Sequence, residues 1–206
     1  MKKFELTAEF VTNVFGKKLF RIKALVAFGN VEKGELGGFI EKEDNLSHDG
    51  DAWVSGNAQV SGNAQVFDNA QVSGNAQVFD NAQVFGDARV FGNAWVCGNA
   101  QVSGNAQVFD NAQVSGNAQV FGNADYAVVA GFGRYFRTTT FFRCKDKILR
   151  VQCGCFYGDL AQFREIVKKT HGDSKYAKEY LAIADLMELH FSDKCGGEQM
   201  NDGKIY

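Results

Sequence analysis

The 206 residues include no proline and only three histidines. Without proline, every residue keeps a backbone N–H to donate, which suits a chain built from long main-chain ladders. Long apolar runs are missing too. No stretch approaches the roughly 20 apolar residues that a membrane-spanning helix needs. Met1-Lys2-Lys3 leads into alternating residues and not into an apolar run, so no signal peptide is expected. Five cysteines, at 97, 144, 153, 155 and 195, are odd in number and irregularly spaced, which suits reduced thiols in a cytoplasm better than a disulfide framework. Cys153-Gly154-Cys155 lacks the two-residue gap of zinc ribbons and thioredoxin-like sites. A metal site from Cys144, Cys153, Cys155 and His171 is the weaker reading, and neither metal nor cofactor is expected.

What the chain does have is repetition. Residues 49–126 are thirteen uninterrupted hexads of the form x-(Gly/Asp)-(Asn/Asp)-Ala-x-Val, only the last ending in Tyr126. A fixed short period of this kind dictates a solenoid. Within Ala58-Gln59-Val60 the small and aliphatic residues are two apart, so on a strand both face inward while Gln faces out. Ser61-Gly62-Asn63 is turn chemistry: Gly supplies positive φ, and Asn or Asp tolerates the left-handed region. Three strand-and-corner units close a triangular coil, and the next coil stacks on it about 4.8 Å away. Each buried Val contributes on the order of 1.5 kcal/mol or more. Asn57, Asn75, Asn93 and Asn111 fall at equivalent corners and can bond one another along the stack, as amide ladders do in cross-β zippers.

This spacing resembles the left-handed parallel β-helix of hexapeptide-repeat proteins. Val60, Ala64 and Val66 fit the family's aliphatic and small positions, whereas Gly falls one place later than in the family phrase. The phrase also extends upstream through Glu43-Asp44-Asn45-Leu46 and through Gly38 and Ile40. Fifteen hexads would then make five coils, roughly 20–25 Å tall. The resulting expectation is a mainly β, left-handed parallel β-helix over 37–126. It is flanked by an N-terminal β cap over 1–36 and an α+β cap with a loose tail over 127–206.

Folding the hexads by threes assigns each outward residue to a face. One face stacks Gln65, Gln83, Gln101 and Gln119. A second carries Gln59, Gln77, Trp95 and Gln113, and the third Trp53, Gln71, Arg89, Gln107 and Asp125. Phe67, Phe85 and Phe121 follow one edge, Phe91 and Phe109 another, and Phe79 stands alone on the third. Exposed aromatic rows often mark an interface, so Phe67, Phe85, Phe121, Phe91, Phe109, Trp53 and Trp95 are candidates for contact within a homo-oligomer, a trimer being the commonest hexapeptide assembly. The alternative is that these rings only cover the corner backbone and stack on one another. Charge is uneven: residues 49–126 hold seven Asp and one Arg, whereas 127–169 hold nine basic and three acidic residues. A basic patch beside an acidic rod could attract a phosphate-bearing ligand. Direct DNA binding is not expected from an acidic rod with amide faces.

The ends of a β-helix need covering, because an open strand edge recruits other chains. At the first end, Val11–Phe15 and Leu19–Val26 read as hairpin arms around Gly16-Lys17-Lys18. After Tyr126, Ala127–Ala130 continues as strand, and Arg137–Arg143 and Ile148–Cys153 read as a hairpin around Lys145-Asp146-Lys147. Asp159 caps a helix with Leu160, Phe163, Ile166 and Val167 on one side. A second helix from about Lys175 to His190 places Tyr176, Tyr180, Ala184, Met187 and Phe191 together, and the tail from Ser192 to Tyr206 is polar. The Gly-Phe-Gly-Arg and Thr-Thr-Thr-Phe-Phe stretch, the Cys-Gly-Cys-Phe-Tyr-Gly-Asp-Leu segment and the opening Leu-Gly-Gly-Phe-Ile-Glu-Lys-Glu-Asp-Asn-Leu-Ser are similar to hexapeptide-repeat proteins of bacteriophage and prophage genomes. That resemblance implies a viral or mobile-element origin and a host-cell cytoplasmic setting. It carries no catalytic residues with it.

Hexapeptide-repeat acyltransferases use a histidine base on a loop thrown out from the coil. Here His48, His171 and His190 all lie outside the thirteen hexads, and no loop interrupts them. The best ligand-contact candidates are Gly131, Gly133, Arg134, Arg137, Thr138, Thr139 and Thr140. Glycines allow close backbone approach, and Arg forms bidentate, charge-assisted bonds to phosphate. A Thr run is equally ordinary strand. The leading expectation is a non-catalytic phage-type binding protein, acting in counter-defence by sequestering a nucleotide-like immune signal or by blocking a host defence protein. The alternative is an acyltransferase-like enzyme with a site at a subunit interface.

Overall fold

The structure, a computed structural model, describes residues 1–192. It opens with β1 (Phe4–Thr12), β2 (Lys18–Ala24) and β3 (Leu36–Ile40), continues through twelve two-residue strands from β4 (Trp53–Val54) to β15 (Gln119–Val120), and then changes character. The sequential strands fall on three faces in turn. β3, β5, β8, β11 and β14 stack on one, β4, β7, β10 and β13 on another, and β6, β9, β12 and β15 on the third. Every stacked pair is parallel; from β4 onward the offset is 18 residues, as in Gln59↔Gln77 and Val60↔Val78, whereas β3 meets β5 at an offset of 20, so the first turn is two residues longer than the rest. The chain is therefore a parallel β-solenoid of about five turns. Its first turn includes the degenerate hexads, with Ile40 paired to Val60 and Leu46 bridged to Val66.

The corners explain why the repeat reads as it does. The second hexad position sits at φ between 57° and 72° from Gly50 through Gly116, whether the residue is Gly or Asp68, Asp80 or Asp110. An L-residue pays roughly 1–2 kcal/mol to sit there. Two of the aspartates recover part of that, since Asp68 accepts from the Gly86 N–H and Asp80 from the Gly98 N–H, each at 3.1 Å. The corner closes with the Ala N–H bonded to the first corner residue, for instance Ala64 to Ser61 at 3.3 Å. Inside, every Ala and Val from Ala58 to Val120 has no exposed surface. The third corner position forms the amide ladders, with Asn57 bonding Asn75, Asn75 bonding Asn93, and Asn93 bonding Asn111 at 3.4, 3.2 and 3.4 Å.

The two ends are sealed differently. The N-terminal hairpin extends one face antiparallel through β2 and β3. Its first arm is Phe4–Thr12 and not Val11–Phe15, because Asn13 accepts the N–H groups of Phe15 and Lys17 and folds Val14 and Phe15 into the turn. Lys3 is 3% exposed, and its Nζ donates to the Gly50 and Ala52 carbonyls at 3.2 and 2.9 Å, closing a second face. Burial pulls its pKa down to about 8.

At the other end the thirteenth hexad departs from the rest. Gly122 is extended (φ −157°), and a short 3₁₀ turn over Asn123–Asp125 leads into β16 (Tyr126–Val129). A four-stranded antiparallel sheet follows in the order β16, β17 (Thr139–Arg143), β18 (Leu149–Cys153) and β19 (Phe156–Asp159). β19 was hidden by its glycine and by the strong cap signal of Asp159. That cap forms as expected, with Asp159 and Gln162 bonding each other's N–H groups at 2.8 and 3.0 Å. Helices α1 (Leu160–His171) and α2 (Lys175–Ser192) pack a second core around Phe141, Phe163, Tyr180 and Met187. Ile166 and Tyr176, expected on the packed sides, are each 38% exposed; Ala177 and Ile183 take up the buried face of α2 instead. The expected loose tail, apart from Ser192, lies outside the described residues, as does Cys195.

Gly98→Ala should cost about 1–2 kcal/mol or more in urea unfolding, because φ is +70° and the new Cβ would lie 2.9 Å from the Gly116 nitrogen. Gly122→Ala, with open space around it, should stay within about 0.5 kcal/mol.

Candidate functional site

The predicted ligand segment divides sharply. Thr139 and Thr140 are 2% and 1% exposed on β17. Thr140 Oγ1 accepts the Gln113 N–H at 3.0 Å, and the Thr139 hydroxyl donates to Cys153 Sγ at 3.2 Å. These hydroxyls are therefore committed to sealing and packing, and strand alternation cannot turn both outward. Beside them Ser115 bonds Gln152, Lys145 bonds the Asn117 carbonyl, and Tyr126 donates to the Gln107 carbonyl. Asn123 accepts the Gln107 N–H at 2.8 Å. Together these bonds close the last rung of all three faces, which is what the C-terminal sheet does for the rod.

The rest of the segment is a loop with different properties. Gly133 (φ +73°) is buried, and its N–H donates to Glu179 Oε2 at 2.9 Å on α2. A Cβ there would lie 2.1 Å from the Tyr180 hydroxyl, so only glycine lets the loop pass so close. Gly131 (φ +86°) has open space around it. Anchored at Gly133, the loop projects Phe132, Tyr135 and Phe136, which are 44%, 63% and 72% exposed. Phe136 holds φ +52°, an unfavourable setting for an aromatic residue. Arg134 and Arg137 both lie over the Tyr135 ring, at 5.5 and 5.1 Å. Neither forms an ion pair among the described residues.

Arg134, Tyr135 and Arg137 form one wall of a pocket of about 250 Å³, a combination with Cys153, Cys155 and His171 that sequence reasoning did not assemble. Its opposite side comes from α1 and α2, where His171 stacks on Tyr180 with ring centroids 5.8 Å apart. Burial, with Cys153 beside it, pushes the Tyr180 phenol up to about 12, so it stays a protonated donor. Cys153 and Cys155 complete the mouth. The signal that could have found it is the Cys-Gly-Cys hairpin followed by α1: the tight turn between β18 and β19 places Cys153 and Cys155 in the same pocket lining as His171. Thr138 is half-buried and belongs to a neighbouring cleft with Phe109 and Tyr126, so it does not join the arginines.

His48 is held by the N-terminal cap. His48 stacks on Phe4, and its Nδ1 accepts the Lys3 N–H at 3.2 Å while Nε2 faces Glu43 at 3.8 Å. Its Nδ1 is thus taken up by the cap backbone. Burial raises the pKa of the Cys97 thiol to about 11 and that of Cys144 as well, which leaves both weak nucleophiles. Among the described residues, no three His, Cys, Asp or Glu side chains converge as metal ligands. No described helix is long and apolar enough to cross a membrane.

The aromatic edges are stacked. Phe67 and Phe85 lie 4.9 Å apart and 3° from parallel, and Phe91 and Phe109 are 5.3 Å apart at 12°. Phe121 stays 68% exposed, Phe109 40% and Trp95 38%. Trp53 departs from the expected interface: it is 2% exposed, sealed edge-on by Phe28 of the N-terminal cap. Phe79 bridges Phe15 of the hairpin turn and Trp95, at 5.4 and 5.9 Å.

The family model of the YdcK beta solenoid repeat matches residues 58–74, 82–98 and 100–116. All three stretches lie within the rod, in agreement with the solenoid seen here. No curated protein matches the chain.

Thr140→Val should lower unfolding free energy by about 1–3 kcal/mol through the stranded Gln113 N–H. It should leave the pocket's ligand affinity unchanged in calorimetry.

Proposed function

We propose that the chain is a non-catalytic binding protein of the phage counter-defence type, which sequesters a nucleotide-like signal in the pocket between the 131–137 loop and α1. The observation that carries this reading is the pair Arg134 and Arg137, two guanidinium groups held over one ring and neither in an ion pair among the described residues. Guanidinium forks bind phosphate in a bidentate way, and a tyrosine ring offers a stacking surface for a base. The Tyr180 hydroxyl and His171 add polar groups at the opposite wall. The origin in phage rests on the likeness of the two ends to phage hexapeptide-repeat proteins. Exposed Phe132 and Phe136 favour a second reading, in which the same loop grips a host defence protein in the cytoplasm of the infected cell.

Calorimetry with cyclic dinucleotides and ADP-ribose derivatives should show saturable heat for at least one. Arg134→Ala and Arg137→Ala, both at exposed positions, should each weaken it by about tenfold or more. Heat from none of them, with capture of a single host protein, would replace the small-molecule reading with the second one. Acetyl transfer from an acyl thioester, lost on changing His171, would restore the acyltransferase alternative.

The exposed rings at Phe109, Phe121 and Trp95 support assembly into a homotrimer. Light scattering should then give three times the chain mass of 22.6 kDa, and Phe121→Ser with Phe109→Ser should lower it. A single-chain mass for the unaltered protein would overturn the assembly.

A further inference from the structure

Nine of the thirteen outward strand positions of the hexads are glutamine, and Arg89 is the one basic residue among residues 49–126. It stands in register between Gln71 below and Gln107 above. On the face of Gln65, Gln83, Gln101 and Gln119 the amides satisfy one another at 3.4, 3.0 and 3.2 Å. Arg89 interrupts such a row, is exposed, and has no side-chain hydrogen bond or ion pair among the described residues. A departure from a repeat with no compensating contact inside the chain points to something outside it.

Arg89 lies at the centre of a groove of about 790 Å³ along this face. One wall is the Gly29–Val31 bend of the N-terminal cap with Asp51, and the other is Phe91, whose ring is stacked on Phe109. The Asn69 amide is bonded to the Asp87 carboxylate at 3.0 Å beside Arg89, and the Ser55 and Ser73 hydroxyls lie further along. The chemistry excludes several occupants in turn. The rod's acidic excess disfavours a polyanion, and the groove's own charges, Asp51 and Asp87 against Arg89, are close to balanced and give a polycation little to grip. A peptide added as a further strand would need an open strand edge. Here the Gln71 and Arg89 N–H groups already donate to Ala88 and Ala106 at 2.9 and 2.8 Å, and the Gln107 N–H to Asn123. An apolar molecule would strand the amides and charges.

What remains is a neutral, polyhydroxylated chain. Planar carboxylate, amide and guanidinium groups pair with neighbouring hydroxyls in a bidentate way, and a flat aromatic ring packs against an apolar C–H face. We propose that this face is a binding groove for a neutral oligosaccharide, with Arg89 and Phe91 as its determinants. It is separate from the C-terminal pocket and independent of the reading given to that pocket.

Saturation-transfer NMR and calorimetry on the full chain, with hexasaccharides of glucose and of N-acetylglucosamine and a heparin hexasaccharide as anionic comparator, test this directly. Saturable binding of a neutral hexasaccharide is expected. Arg89→Gln restores the commonest residue of the repeat, so it should keep or raise the unfolding midpoint while weakening binding by about tenfold or more. Phe91→Ser, which places the residue found at Ser55 and Ser73, should weaken it too. No binding of either neutral sugar at millimolar concentration, binding of heparin alone, or binding unaltered by Arg89→Gln would each overturn the proposal. Nucleotide heat at the C-terminal pocket, measured on the same Arg89→Gln protein, should be unchanged, so the two sites fail or stand separately.

Discussion

The rod depends on one backbone constraint: the second residue of every corner must enter left-handed space. A coil of 18 residues closes only because the chain turns sharply three times, and each turn is made at a residue with φ near +60°. That requirement selects Gly or Asp at the position. It also brings each corner so close to the next that a Cβ would lie 2.9–3.1 Å from backbone at Gly62, Gly74 and Gly98. The parallel ladders and the filled Ala–Val interior follow once the turns stack. The interior itself is uniform, and nothing in it offers chemistry.

Chemical variety is therefore displaced to places where the repeat is violated. Outward positions can change without disturbing the corner or the core, and Arg89 and Trp95 are such changes on adjacent faces. The larger violation is the C-terminal end, where Gly122 abandons positive φ and the chain leaves the solenoid as an antiparallel sheet. That sheet serves two masters. One surface supplies Thr140, Gln152 and Cys144 to the last rung, and the other carries Phe141 and Val151 into the helical core that walls the arginine-lined pocket.

How much could be read in advance follows from the range of the forces involved. The hexads declare their coil because neighbours 18 apart repeat the same local geometry, so Ala–Val burial, the Asn57 ladder and the Gln65 ladder were all legible. The Asp159 cap was legible for the same reason, being settled within four residues. Trp53 was not, since its position in the phrase faces outward and only the distant Phe28 buries it. Nor were the fates of Thr138, Thr139 and Thr140, because alternation along β17 cannot be phased without knowing that Gln113 waits for a partner. The pocket was legible only in part: Cys153, Cys155 and His171 could be grouped, but their placement against Arg134 and Arg137 depends on the docking of α1 on the sheet, which no short spacing encodes.

The sameness of the coils has a further cost in assembly. If one stretch of rod were to slip by a whole turn, nearly all its main-chain bonds and its buried methyls would be recovered in the wrong frame. What a slipped chain would lose is the small set of contacts that occur once: Phe15 on Phe79, Phe79 on Trp95, and Lys3 on Gly50 and Ala52. These contacts act as alignment marks. They add little to the height of the energy gap per residue, yet they separate one winding of the chain from its near-degenerate neighbours, and a perfectly regular version of this sequence would be stiffer and far less certain of its own frame.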